Sequence, residues 1–492
     1  MIDRAHAAGS FGRNALVSYA LPLAVMGAGA IALGRLTLEP QSLRMALLAT
    51  LVLLVLGAAF MAPRATLYGL VVWLAALGLV RRIVSTYSPP GEADPLLLLG
   101  PLTLGVLVAV AASRGAFRDR TALSNAVLVL SGLILIGALN PLQGSLMAGV
   151  AGLLFMLVPT LAFWIGRGLC DDETLRRLLR LVAGLAVLAA TYGLLQTFRG
   201  FPSWDESWIA QAERSGYAAL YVHAEGGEST IRPFASFSSA SGYVVFVAIG
   251  LVIVLGLGLK RQRWILVAPT AGLLAVALIY GSSRAIVVAV VAALAFMAAL
   301  RRRQSLGVTI VGVAIVLLLL PLTLRAIVPG ASGSSGAGTL VAHQTQGLSD
   351  PLNPDSSTAG LHVLLIVRGL RAAFTEPLGL GTGVVNIAST KFGKGIKDTE
   401  SDPSNVAVAL GLPGLLAYGA VFALGFGRAY RVTLMRRDRL SLVVFGLLFV
   451  TVFQWLAGGN YAVAFIPWLL LGWLDSAVIR SSERGDSRVC TY

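Results

Sequence analysis

The chain has 492 residues, of which 57% are hydrophobic and only 12% charged. A soluble protein of this length would carry about twice that charge, so a pair of soluble domains is excluded. The formal net charge of +15 invites a nucleic-acid reading, but the positive residues sit in short connections between apolar runs rather than on one face of a domain, which excludes that class too.

Apolar runs of about 17–25 residues recur from end to end, each long enough to cross roughly 30 Å of hydrocarbon. They are continuous rather than alternating, which rules out a transmembrane β-barrel. The expected fold is all-α, a polytopic integral membrane protein of about 12–14 transmembrane helices. Taken in chain order, the predicted spans centre near residues 24, 52, 73, 104, 130, 155, 187, 248, 273, 292, 316, 416, 449 and 469. The first run, from Ala15 to Gly34, reads as a retained helix rather than a signal peptide, because so many spans follow it.

The connections sort by charge. One set holds Arg114, Arg118 and Arg120, then "RGLCDDETLRRLLR", "KRQR", Arg301 to Arg303 and "RAYRVTLMRRDRL", and the tail with Arg480, Arg484 and Arg488 belongs with it. The positive-inside rule assigns these and both termini to the cytoplasm. Arg81 and Arg82 break the pattern, which makes the hairpin at residues 62–66 the weakest point of the scheme. Cys170 and Cys490 both fall in segments assigned to the cytoplasm and suggest neither a disulfide framework nor a metal site.

Two long connections organise the rest. N-terminal helices occupy residues 1–196, a first outer loop 197–236, central helices 237–326, a large outer loop 327–404, and C-terminal helices with the tail 405–492. Loops beyond about 15 residues are usually functional or disordered. The large loop opens with the low-complexity "PGASGSSGAGT", expected to be flexible. It continues as "LHVLLIVRGLRAAF", expected to be a helix on the membrane surface that "EPLGLGTG" terminates. Matched interrupted spans, the mark of transporter repeats, are not evident.

Site candidates concentrate on the outer face. Arg284 stands alone behind a Gly-Ser-Ser turn at one end of a span, and Arg232 precedes the hydroxyl-rich "PFASFSSASGY". Either could be an interfacial anchor that snorkels to headgroups. The small hydroxyl residues beside both favour the alternative, a forked, permanently charged grip on a diphosphate. His362, Arg368 and Arg371 share the predicted surface helix, where His362 and Arg371 point to opposite faces and His362 takes the more apolar side. Glu400 and Asp402 are general-base candidates ahead of the next span, Asp402 with helix capping as its alternative role. Trp204 and Trp208 in "WDESW" would suit a saccharide platform or an aromatic belt. No P-loop, His/Cys cluster or DxD motif is present, so no metal and no cofactor are expected.

Four stretches, in order, resemble the O-antigen polymerase and O-antigen ligase superfamily, which includes exopolysaccharide polymerases. They are "RPFASFSSASGY", "GSSRAIVVAVVAAL", "STAGLHVLLIVRGLRAAFTEPLGLGTG" and "ESDPSNVAVALGLPGLL", and the resemblance covers roughly residues 140–430. It implies a GT-C-like architecture in the bacterial inner membrane, with the site facing the periplasm. It also implies metal-independent glycosyl transfer from a glycan on undecaprenyl diphosphate to a saccharide acceptor. By the same resemblance Arg232 and Arg284 bind the diphosphate with Arg368 as a third cation, and Glu400 or His362, with Asp402 nearby, takes the acceptor proton. The family's ligases usually carry a His-Asn pair where this chain reads Glu400-Ser401-Asp402, a departure that favours polymerisation over ligation. A chain-length regulator or flippase of the same pathway is an implied partner. A transporter of the same lipid is the alternative class, but it would need cations along a mid-membrane path rather than at one face.

Overall fold

The computed structural model describes residues 42–88, 94–214, 221–223, 229–258, 264–327, 336–350, 358–385, 389, 399–456 and 460–483. The first predicted span, Cys490, and Arg484 and Arg488 of the tail lie outside the described residues. The helices are α1 (Ser42–Met61), α2 (Pro63–Ser85), α3 (Leu99–Ser113), α4 (Ala122–Gly137), α5 (Leu146–Leu169), α6 (Asp172–Arg199), α7 (Ser203–Arg214) and α8 (Ala240–Gly258). They continue as α9 (Trp264–Tyr280), α10 (Arg284–Arg302), α11 (Leu306–Ile327), α12 (Gly336–Ser349), α13 (Ala359–Thr375), α14 (Asp402–Arg436), α15 (Arg439–Val450) and α16 (Phe465–Glu483). Among the described residues eight helices are long and apolar enough to cross a membrane: α1, α2, α3 taken with the 3-10 turn Pro95–Leu98 that leads into it, α5, α6, α8, α10 and α14. Shorter apolar helices lie within α4, α9, α11, α15 and α16. Each predicted span from residue 52 onward falls on one of these. The chain is an all-α, polytopic membrane protein.

Local chemistry sets the helix starts. Pro63 opens α2 at a position whose N–H would have no intrahelical partner anyway, one residue after α1 ends. Thr121 and Ser124 close a capping box ahead of α4, and Asp171 and Asp438 accept from the Thr174 and Ser441 amides at the starts of α6 and α15. Packing then depends on close approach. A Cβ on Gly166 of α5 would lie 2.1 Å from the Leu469 carbonyl oxygen, and one on Gly472 of α16 would lie 1.9 Å from that of Phe163. Small residues of this kind let membrane helices meet backbone to backbone, where dispersion and not water expulsion drives association.

α14 is broken. Gly411 has φ 64° and ψ −155° in the middle of the helix, and Pro413 follows. The break frees backbone groups that would be costly to leave unpaired at membrane depth. Part of the large loop supplies their partners. The Leu412 amide donates to the Pro377 carbonyl at 3.0 Å, while the Leu380 and Gly381 amides donate to Val408 and Ala409 at 2.9 Å each. Ala409 would otherwise face Pro413, which has no N–H. "EPLGLGTG" therefore does more than stop α13: it is spliced into the interrupted helix.

The two ends of the bundle differ. At one end Arg64 pairs with Asp171 at 2.7 Å, Arg436 bridges Asp172 and Asp438, and Arg167 and Arg428 share the buried Asp475. Two of the charge-rich connections that the sequence assigns to one side of the membrane thus meet there. The opposite end holds the C-terminus of α2, α7 and the N-termini of α10 and α14.

Two expectations need correction. A short antiparallel hairpin, Tyr221–His223 paired with Ser229–Ile231, lies just before Arg232 among described residues that are mostly helical. And the tail of the low-complexity stretch expected to be flexible, Gly336 to Thr339, is helical as the first turn of α12.

Candidate functional site

The turn Gly281–Ser282–Ser283 joins α9 to α10, and it is clamped from several directions. Arg232 arrives from the hairpin and its guanidinium donates to the Gly281 carbonyl, from Nε at 3.2 Å and from Nη2 at 3.1 Å. Arg284, the first residue of α10, donates from Nε to the His343 carbonyl of α12 at 3.1 Å. Ser282 lies between them in the left-handed region at φ 50°. Its hydroxyl is 2.7 Å from His343 Nδ1 and 3.3 Å from the Leu340 carbonyl. The two arginines singled out in the sequence therefore flank one turn.

The general-base candidates also meet. His362 Nδ1 is 3.0 Å from Glu400 Oε2, and its Nε2 is 3.1 Å from the Thr358 hydroxyl. His362, expected on the more apolar side of its helix, has a side chain about half exposed. It stands in the first turn of α13, on the face it shares with Leu365, Ile366 and the buried Gly369 and Ala373. The bond from Glu400 raises the His362 pKa above its ordinary 6.5, partial burial pulls it down, the Glu400 charge adds to the rise, and the Arg284 charge opposes it.

Asp402 stands apart from that pair. It is buried, and its Oδ2 accepts from the Tyr418 hydroxyl at 3.0 Å, the Leu456 amide at 2.9 Å and the Trp455 amide. Its own amide donates to the Phe453 carbonyl at 3.0 Å. Ser401, not Asp402, caps α14 through a capping box with Ser404. Asp402 pins α14 to the turn after α15. Arg368 is exposed on α13, where Gly369 packs against Ser404, and has no hydrogen bond or ion pair among the described residues.

Trp204 and Trp208 turn inward as well. The Trp204 indole donates to the Tyr192 hydroxyl at 3.0 Å, and that hydroxyl donates to Asp205 Oδ2 at 2.6 Å. Trp208 lies under the Arg81 guanidinium, 5.8 Å from ring centre to cation. Through Tyr192, Trp204 supports a buried ionic knot that the sequence did not reveal. Asp205 pairs with Arg82 Nε at 2.6 Å, both side chains essentially inaccessible, and also accepts from Gln196 at 2.7 Å. Arg82 further donates to the carbonyls of Phe237, at 2.5 Å, and Ala235, and lies over the Phe234 ring at 4.8 Å. Gln196 Oε1 accepts from the Phe234 and Ala235 amides at 3.1 and 2.7 Å. This resolves the anomaly of Arg81 and Arg82. They are not misplaced surface anchors but the inner support of "RPFASF", the segment that carries Arg232. Arg81 in turn shares Asp94 with Arg44, at 2.6 and 2.7 Å. Burial acts to raise the Asp94 carboxyl, but the two guanidiniums hold it below the usual range.

Sequence reasoning missed His343, Arg82, Asp205 and Gln196. Only Arg82 left a signal, as a charge on the wrong side of the pattern. No protein-family model matches the chain, and no curated protein matches it by sequence.

Proposed function

We propose that the protein is a membrane glycosyltransferase that polymerises oligosaccharide repeat units carried on undecaprenyl diphosphate, without a metal, on the outer side of the bacterial inner membrane. The observation that carries this reading is the convergence of Arg232 and Arg284 on the one turn Gly281–Ser283, together with the contact of the two general-base candidates His362 and Glu400 at 3.0 Å. A cationic grip beside an imidazole held by a carboxylate matches what the reaction needs at its two reacting ends.

The acceptor hydroxyl attacks the anomeric carbon of the donor, the bond from that carbon to the diphosphate oxygen breaks, and undecaprenyl diphosphate leaves with the electron pair. Fixed guanidiniums stabilise the departing charge more than they stabilise the intact donor, which is the requirement for acceleration. Glu400 and His362 need not be rivals. With Nδ1–H donated to the carboxylate, the neutral ring keeps Nε2 as its basic atom. Thr358 holds that atom, and a sugar hydroxyl can replace Thr358 there. His362 then takes the proton while Glu400 orients the ring, a contribution of about 10²–10⁴-fold. Inversion at the anomeric carbon follows from a single displacement.

Purified protein in nanodiscs, incubated with lipid-linked repeat units alone, should produce a ladder of polymer. Arg284→Ala and Arg232→Ala should abolish the ladder while leaving the protein in the membrane. Product that appears only with a second lipid or protein acceptor would replace polymerisation with ligation. Movement of the intact lipid across the bilayer with no new glycosidic bond would replace both with transport.

A further inference from the structure

The arginine turn is held in a conformation it would not choose for itself. Ser282 adopts φ 50°, a region that costs an L-residue with a Cβ and that glycine occupies freely. Strain of this kind persists only where the surroundings over-determine it. Here the surroundings are α12, whose placement on the turn was not legible in the sequence. Both Ser282 contacts are satisfied together when the hydroxyl donates to the Leu340 carbonyl and accepts from His343 Nδ1–H, because a hydroxyl has one proton and two lone pairs. The carbonyl of that same histidine accepts from Arg284 Nε. The backbone also leaves no slack: a Cβ on Gly347, one turn further along α12, would lie 1.8 Å from the Arg284 guanidinium carbon.

We infer that His343 is a positioning residue for the diphosphate grip: its ring fixes Ser282 in the left-handed turn, its carbonyl orients Arg284, and α12 thereby sets the spacing between the Arg284 and Arg232 guanidiniums. The inference rests on the proposed diphosphate site. It adds that the large outer loop presets the site through α12, and that the hydroxyl at position 282 serves geometry rather than chemistry. A guanidinium held by one N–H at Nε keeps its other donors for a ligand, and preset donors bind better than donors that must be ordered on arrival.

Three variants in nanodiscs test this, with radiolabelled undecaprenyl diphosphate as the probe. His343→Leu removes the ring contact and keeps the carbonyl. His343→Asn restores a polar atom at the place of Nδ1. Ser282→Gly relieves the strained φ but removes the hydroxyl, and leaves α12 untouched. Binding should weaken about tenfold in His343→Leu and in Ser282→Gly, the loss expected of one positioning hydrogen bond. His343→Asn should stay within about threefold of wild type. Hydrogen exchange at residues 282–286 should quicken in the two weak binders and not in His343→Asn.

Wild-type affinity in Ser282→Gly would overturn the inference, since a turn that matters only for chain direction is improved by glycine. Equal loss in His343→Asn and His343→Leu would overturn it too, by showing that packing and not the bond is at stake. The diphosphate reading fails separately: if wild type and Arg284→Ala bind the probe alike, no diphosphate site exists here, and the hydrogen-exchange contrast alone decides whether His343 holds the turn.

Discussion

Gly411→Ala is the substitution whose cost can be worked out most directly from the structure. A methyl group at that position would sit 2.0 Å from the Pro377 carbonyl oxygen and 2.7 Å from the Gly379 nitrogen. Neither is a side-chain tip that can swing away, so the loop strand must leave. Three hydrogen bonds go with it: Leu412 to Pro377, Leu380 to Val408 and Gly381 to Ala409. An unmade buried backbone bond costs about 1–3 kcal/mol, and φ and ψ values open only to glycine add about 1–3 kcal/mol. If α14 straightens, Leu412 can return to Val408, but Ala409 still faces Pro413 and gains nothing. A straightened α14 no longer needs the left-handed φ, so two unmade bonds remain and the sum is about 2–6 kcal/mol after that recovery, a large share of the 5–15 kcal/mol that typically separates folded from unfolded protein. Gly427→Ala on the same helix is the control, because a Cβ there meets nothing within 4 Å. Heating detergent-solubilised protein and following the monodisperse peak by size exclusion should show Gly411→Ala collapsing well below wild type and Gly427→Ala matching or exceeding it. A Gly411→Ala midpoint within about 2 °C of the control would refute the splice.

Other outcomes follow from the buried charges and the imidazole pair. Arg82→Ala should destabilise by about 3–5 kcal/mol, because Asp205 stays buried without its cation, whereas Arg82→Met with Asp205→Leu should cost less than the single change; the same melting assay ranks them. Trp204→Phe should lower the melting midpoint through loss of the bond to Tyr192 and leave donor KM unchanged; the reverse pattern would restore a saccharide role. The lowered Asp94 carboxyl stabilises the fold above its unfolded value of about 3.8 and loses that contribution only as pH falls through its lower folded value, so wild type and Asp94→Asn should converge in stability only in strong acid. The raised His362 pKa places the acid limb of the transfer rate above pH 6.5, with activity gained as pH rises and the ring loses its proton. Glu400→Gln removes the largest cause of the rise and should slide that limb toward acid. If turnover vanished at every pH instead, Glu400 would be the base itself.

Much of the architecture was open to inspection in the sequence because hydrocarbon imposes a length and a continuity that each span must show locally. Runs near residues 104, 187 and 248 announce their helices without reference to any neighbour. What stayed hidden depends on partners far apart in the chain. Nothing near Arg82 indicates that its acceptors lie at Ala235 and Phe237, more than 150 residues on. The break in α14 was half visible: "GLPGLL" contains a glycine and a proline, but the segment that fills the gap was readable only as a stop signal for a different helix. The His362–Glu400 contact was hidden because helical periodicity assigns a residue to a face of its own helix and cannot say that a carboxylate waits beyond the first turn. His343 gave no sign at all, since a histidine in "VAHQTQG" carries no motif until α12 lies on the α9–α10 turn.

The Arg82–Asp205 pairing has a consequence for biogenesis. A ribosome completes α2 well before it reaches Asp205, and until then the nascent N-terminal portion contains a guanidinium destined for a dry interior with no counter-ion to accompany it. That early portion cannot settle by itself; it must wait, shielded by the insertion machinery or by headgroups, for an acid encoded in the middle of the gene. Chains truncated before residue 205 should therefore be recognised as unfinished by membrane proteases, and a separately expressed fragment that supplies α7 should rescue them.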